Sequence, residues 1–209
     1  HRPTSLYALG GLLKSHTEEL GLEGALDWSD LALDDVACQS LFAPFTKGTL
    51  RKITRLYLSD NPMDVGGMRA LATAFIAGAF PQLEELRLSN TMLGDPGVRA
   101  LAEAVSGGHM EHLKQLYLNY NEIGDAGVCD LAEAVKPTKE RPNGALANLE
   151  VLTFAYNNVE DQGIRALAGV ADAGALGSLM RFSLAQNARG APRMVLEALE
   201  RSRKPRPRK

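Results

Sequence analysis

A pattern of about thirty residues repeats along this chain, and it restricts the fold more than any other feature of the sequence. Its clearest copy runs from Leu113 to Val135. Leu113, Leu116 and Leu118 alternate as in a strand, Asn121 and Ile123 follow, and Gly127 and Leu131 are spaced as in a helix. Four other segments keep this order. They are Ile53, Leu56, Leu58, Asn61, Met63 and Gly67; Leu83, Leu86, Leu88, Thr91, Leu93 and Gly97; Leu149, Leu152, Phe154, Asn157, Val159 and Gly163; and Leu179, Phe182, Leu184 and Asn187. Their starts at 53, 83, 113, 149 and 179 are 30, 30, 36 and 30 residues apart. Trp28, Leu31, Leu33, Val36 and Cys38 read as a weaker copy in register, 25 residues before the first strong one. A unit this short cannot bury its apolar face alone, so the units must stack into one continuous core.

The motif resembles that of the leucine-rich repeat family, L-x-x-L-x-L-x-x-N-x-L, over roughly residues 25 to 200. The long unit with a helical second half is similar to the ribonuclease-inhibitor-type subclass. The resemblance implies an α/β solenoid, a short horseshoe with a parallel β-sheet on its concave face and helices on its convex face. The geometry agrees. Strands pack about 4.8 Å apart and helices about 10 Å, so the strand side must be the inside of an arc, and six strands span roughly 24 Å.

Alternation sends Leu116 and Leu118 inward and Gln115, Tyr117 and Asn119 outward. Asn61, Asn121, Asn157 and Asn187 stand where the chain leaves each strand. Their amides can bond backbone groups there, so a buried ladder is expected, with Thr91 replacing only part of it. Asp95-Pro96-Gly97, Asp125-Ala126-Gly127 and Asp161-Gln162-Gly163 read as helix N-caps, with Val65 in that place in the first strong repeat. Helices are expected over 68–75, 98–105, 128–135 and 164–170.

The solenoid needs caps. Leu6, Leu9, Leu12, Leu13 and Leu20 recur near helical spacing, so residues 1–24 read as an N-terminal capping helix, with partner binding as the alternative. The repeat domain covers 25–200. Met194, Val195, Leu196 and Leu199 give a last apolar stripe, so a final helix is expected to end near Arg201. Residues 201–209 hold six of the 23 basic residues, leaving 17 against 25 acidic, a net charge of −8 for the remainder. This basic tail is expected to be flexible, with weak contact to an acidic protein, RNA or a membrane surface as its possible use. The extra six residues fall in the loop 136–144, an exposed bulge or a partner contact.

Catalytic signatures are missing from the sequence. There is no Walker loop, nucleophile elbow or HExxH, and His1, His16, His109 and His112 lack ligand spacing. No catalytic residue, cofactor, metal or small-molecule substrate is expected. The two cysteines make no disulfide framework. Cys38 falls at an inward position, and Cys129 takes the helix place of Arg69, Arg99 and Arg165 and should face solvent. Reduced thiols suit the cytoplasm or another reducing compartment. Organellar targeting stays open, since the chain begins at His1 rather than Met.

The outward strand positions remain. Four of the five tyrosines lie on this face, and Tyr and Arg are enriched at binding hot spots. Arg55, Tyr57, Arg87, Tyr117, Tyr120, Tyr156 and Arg181 are the expected partner contacts. The chain therefore reads as a non-enzymatic scaffold binding a protein through its concave strand face. An architectural subunit of a large assembly is one alternative. A second follows from the resemblance, since some members of the subclass activate small GTPases.

Overall fold

The computed structural model describes residues 23–187 and 193–203. In it, six strands alternate with six helices in the order β1 (Gly24–Asp27), α1 (Asp35–Phe42), β2 (Ile53–Tyr57), α2 (Asp64–Ile76), β3 (Glu85–Arg87), α3 (Gly94–Ser106), β4 (Gln115–Tyr117), α4 (Asp125–Val135), β5 (Val151–Thr153), α5 (Asp161–Asp172), β6 (Arg181–Ser183) and α6 (Arg193–Arg203). The strands form one parallel sheet in sequence order. Leu26, Leu56, Leu86, Leu116, Leu152 and Phe182 are partners along a single row. The four middle members are essentially fully buried, while Leu26 keeps a trace of exposure and Phe182 is half-buried at the end of the stack. Successive helices pack only on their neighbours, and together with the inward strand residues they enclose one core.

The first repeat corrects the sequence register. Leu26, not Leu31, pairs with Leu56, so this unit keeps the thirty-residue spacing. Leu31 is 56% exposed and Val36 70% exposed. The Leu-x-Leu at 31–33 imitates a strand, but only Leu33 and Cys38 of that stretch reach the core with Trp28. An aromatic chain fills this end, running Trp28, Phe42, Phe45, Phe80 and Phe75 at centroid separations of 6.2, 5.6, 6.0 and 5.3 Å.

The asparagine ladder forms. The Asn61 Oδ1 accepts the Leu31 and Leu33 N–H groups at 3.0 and 2.9 Å, while its amide donates to Trp28 and Leu58 carbonyls. Asn157 does the same for Asn121 and Ile123, and Asn187 for Val159. The Thr91 hydroxyl donates to the Leu88 carbonyl, with Asn121 Oδ1 3.1 Å away, but its short side chain makes no bond back to the preceding repeat's loop. Of Thr91 only the carbonyl meets that loop, accepting the Asp64 N–H at 3.0 Å.

The helix starts differ from expectation. Helices begin three to four residues earlier than the apolar spacing suggests, so Asp95, Asp125 and Asp161 lie inside their first turns and cap nothing of their own. Instead Asp35 accepts the Gly67 N–H of α2, Asp95 accepts the Gly124 N–H before α4, and Asp125 accepts Glu160 and Gln162 N–H groups at α5. Each acid serves the following repeat, 29 to 37 residues away. Asp34 is a local cap, accepting the Ala37 N–H.

At the C-terminal end Val195, Ala198 and Leu199 are buried, whereas Met194 and Leu196 are exposed, so the apolar stripe is narrower than expected. Arg201 belongs to α6, not to the tail, and meets Asp172 of α5 through two 2.9 Å bonds. The expected N-terminal helix and residues 204–209 of the basic tail lie outside the described residues. The 136–144 loop is anchored rather than free. The Arg141 guanidinium donates to the Val105 and Ser106 carbonyls at the end of α3, and Gly144 takes a positive φ where any Cβ would collide with the Val135 carbonyl.

Candidate functional site

Alternation along each short strand turns one set of side chains away from the core, and the sheet gathers them on its concave side. Two clusters form there. In the first, Tyr57, Glu85, Arg87, Gln115 and Tyr117 meet across β2, β3 and β4. The Arg87 guanidinium lies 4.5 Å from the Tyr57 ring centroid and 5.2 Å from that of Tyr117, and its Nε donates to Glu85 at 2.6 Å. The Tyr57 hydroxyl donates to the other Glu85 oxygen at 3.2 Å, and the Tyr117 hydroxyl to Gln115 at 2.8 Å. Rings on both sides of a paired cation hold Arg87 in one orientation. Burial, then the Glu85 carboxylate, raises the Tyr57 phenol above its ordinary value and keeps it a neutral donor. A basin of about 500 Å³ opens here, and its lining includes Tyr57, Arg87, Tyr117, Asp27, Ser29 and Asp60.

In the second cluster Tyr120 and Tyr156 stack, their centroids 4.2 Å apart and planes 9° from parallel. The two residues are 52% and 47% exposed. Both residues hold φ near +57°, a region that bulky side chains avoid.

The expected contacts thus fall into three sets. Tyr57, Arg87 and Tyr117 are brought together, Tyr120 and Tyr156 are brought together, and Arg55 and Arg181 stand exposed in neither cluster, on β2 and β6. Sequence reasoning missed Asp27 and Ser29, because the first repeat was out of register. Glu85 and Thr153 share the outward register of Arg55 and Tyr117, yet they are buried at 7% and 4% exposure, which alternation does not show. The Thr153 Oγ1 is the only buried side-chain polar atom without a partner among the described residues.

The thiols take no part. Burial, with Asp35 and Asp34 adding to it, pushes the Cys38 thiol up to about 12. Cys129 is half-buried rather than solvent-facing, and burial followed by Asp125 and Asp130 raises its thiol too. Neither is a ready nucleophile.

A family model described as Leucine Rich repeat matches residues 49–72, 81–102, 109–132 and 145–168, four successive strand-to-helix units of the sheet above. The chain is a leucine-rich repeat protein. Among solved structures this leucine-rich repeat chain is similar to a leiomodin-1 actin-binding site 2, at 13% identity and a TM-score of 0.50, over 95% of this chain and 90% of that one. It is also similar to the C-terminal domain of tropomodulin from Caenorhabditis elegans, at 15% identity and a TM-score of 0.52, over 95% and 93%. These likenesses are of fold. No curated protein matches the chain.

Proposed function

We propose that this leucine-rich repeat protein is a binding scaffold that holds a protein partner on its concave strand face. The exposed Tyr120–Tyr156 stack is the observation that carries this reading. Folding has no use for two half-exposed rings at left-handed backbone positions, whereas recognition gains rigid contact area from them. The cluster of Tyr57, Arg87 and Tyr117 extends that surface toward β2 with a fixed cation and two hydroxyls. The leiomodin-1 structure, described as an actin-binding site, supports a protein as the partner class for a solenoid of this size.

The test is Tyr117→Ala with Tyr120→Ala. Affinity purification with cross-linking identifies the partner of the parent chain. The double variant keeps the parent's thermal midpoint within a few degrees, since both side chains lie on the sheet surface, but loses at least about 2 kcal/mol of affinity. A partner recovered equally well by parent and variant overturns the reading.

A further inference from the structure

One position takes the same backbone form in six consecutive repeats without a single glycine. Asp30, Asp60, Asn90, Tyr120, Tyr156 and Gln186 have φ of 54°, 60°, 55°, 56°, 57° and 58°. All six are exposed. Equal φ at equivalent places, with the Asp60–Asn90 bond and the Tyr120–Tyr156 stack between neighbours, sets these side chains in a row across the sheet, just past the strand ends. Across the repeats the row reads acid, acid, amide, aromatic, aromatic, amide. Asp60 accepts the Asn90 amide at 2.9 Å. Neither Asp30 nor Asp60 is ion-paired to a cation among the described residues. Asp27 lines the basin beside them. Residues 1–200 carry 17 basic and 25 acidic residues, so the body's net charge of −8 also favours a basic visitor.

We propose that this row reads one extended segment of the partner, in which a Lys or Arg stands about four residues from an aliphatic side chain or a proline. The spacing follows from the sheet. From midway between Asp30 and Asp60 to midway between Tyr120 and Tyr156 is three strand intervals, about 14 Å, and an extended chain advances about 3.4 Å per residue. The cation sits between the two carboxylates and the apolar group lies against the stacked rings. Asn90 lies between them and offers its amide to the segment's backbone. The inference rests on the concave-face reading and makes it specific.

A phage-displayed random decapeptide library, panned on the full chain, tests it. Two variants serve as counter-targets, Asp30→Asn with Asp60→Asn, and Tyr120→Asn with Tyr156→Asn, since Asn accepts the left-handed backbone. The parent enriches peptides with a Lys or Arg about four residues from an aliphatic residue or proline. The acid variant loses the basic preference and binds the best synthetic peptide about tenfold more weakly at low salt, and the tyrosine variant loses the apolar preference. No enrichment, enrichment without that pair, or equal enrichment on both variants overturns the inference. A natural partner lost by Tyr117→Ala with Tyr120→Ala, yet bound through a segment lacking the pair, sinks this inference alone. A partner indifferent to that double variant sinks the concave-face reading with it.

Discussion

Just past each strand the backbone turns left-handed, and most repeats meet that turn with Asp, Asn or Gln. Asp and Asn tolerate the conformation best after glycine, and a bulky ring does not. Tyr120 and Tyr156 are therefore held at some cost to the fold, partly offset by about 0.5–1.5 kcal/mol from their stacking. Replacing both with Asn relieves the backbone while removing the stack. The expected result is chemical denaturation within about 1 kcal/mol of the parent, with binding lost. A loss of several kcal/mol would show that the rings are structural. Thr153 gives a second residue-scale test. Its hydroxyl is buried without a partner, and an unmade bond of this kind costs about 1–3 kcal/mol. Thr153→Val should raise stability by about 1 kcal/mol in a urea titration. The tyrosines were legible as outward residues, Tyr57 and Tyr117 from alternation and Tyr120 and Tyr156 from their place just past the strand. Their pairing was not, because Tyr120 and Tyr156 are 36 residues apart, across the one interval the insertion lengthens.

Between elements, the link that matters is the hand-off from an acid of one helix to the start of the next. Asp125 satisfies two N–H groups at the entry of α5, and Gly127 and Gly163 leave the room in which Asp95 and Asp125 of the preceding repeats lie close. A Cβ on Gly127 would stand 2.7 Å from Asp95 Oδ1 and 3.0 Å from Asp95 Cα. Backbone cannot yield as a flexible side chain does. Gly127→Ala should therefore destabilise by about 1–3 kcal/mol despite its better helix propensity. Gly169, in α5, is exposed, and a Cβ there would meet nothing within 4 Å. Gly169→Ala should stabilise by about 0.5–1 kcal/mol. Opposite signs in thermal melts of the two variants are the check. The sequence showed the Asp-x-Gly recurrence plainly, yet its partners were misread. N-capping is a local rule spanning three residues, and here the acceptor and donor are one repeat apart. Likewise, apolar spacing marks the buried face of a helix but says nothing of its polar first turn, hence the late expected starts at 68, 98, 128 and 164.

Across the whole molecule the repeat spacing made the architecture readable. Each aliphatic in the motif meets its counterpart one unit on, and the sheet order follows directly from that. The exception is instructive. Leu31 and Leu33 carried the expected spacing more clearly than Leu26 and Trp28 did, and only the pairing of Leu26 with Leu56 exposes the error. Two other departures stood in the sequence as separate oddities, Thr91 in the ladder and Val65 in place of an acid. The structure sets them at the same joint. Between the β2 and β3 units the asparagine link and the acid hand-off are both missing, whereas the joints on either side, β1 to β2 and β3 to β4, keep both. Stability in a solenoid is close to a sum over such joints. In hydrogen exchange under mild denaturant, the amides of β1 and β2 should lose protection together before those of β3 to β5. One uniform transition, or a boundary elsewhere, would show that the joint is as strong as the rest.

On the concave side that joint is crossed by the Tyr57 hydroxyl reaching Glu85 and by Arg87 lying over the Tyr57 ring. A macromolecule laid along the arc would bear on both sides of it, like a splint on a jointed rod. Pulled from its two ends, the bare chain should tear first between these units, and the occupied one should withstand a higher force.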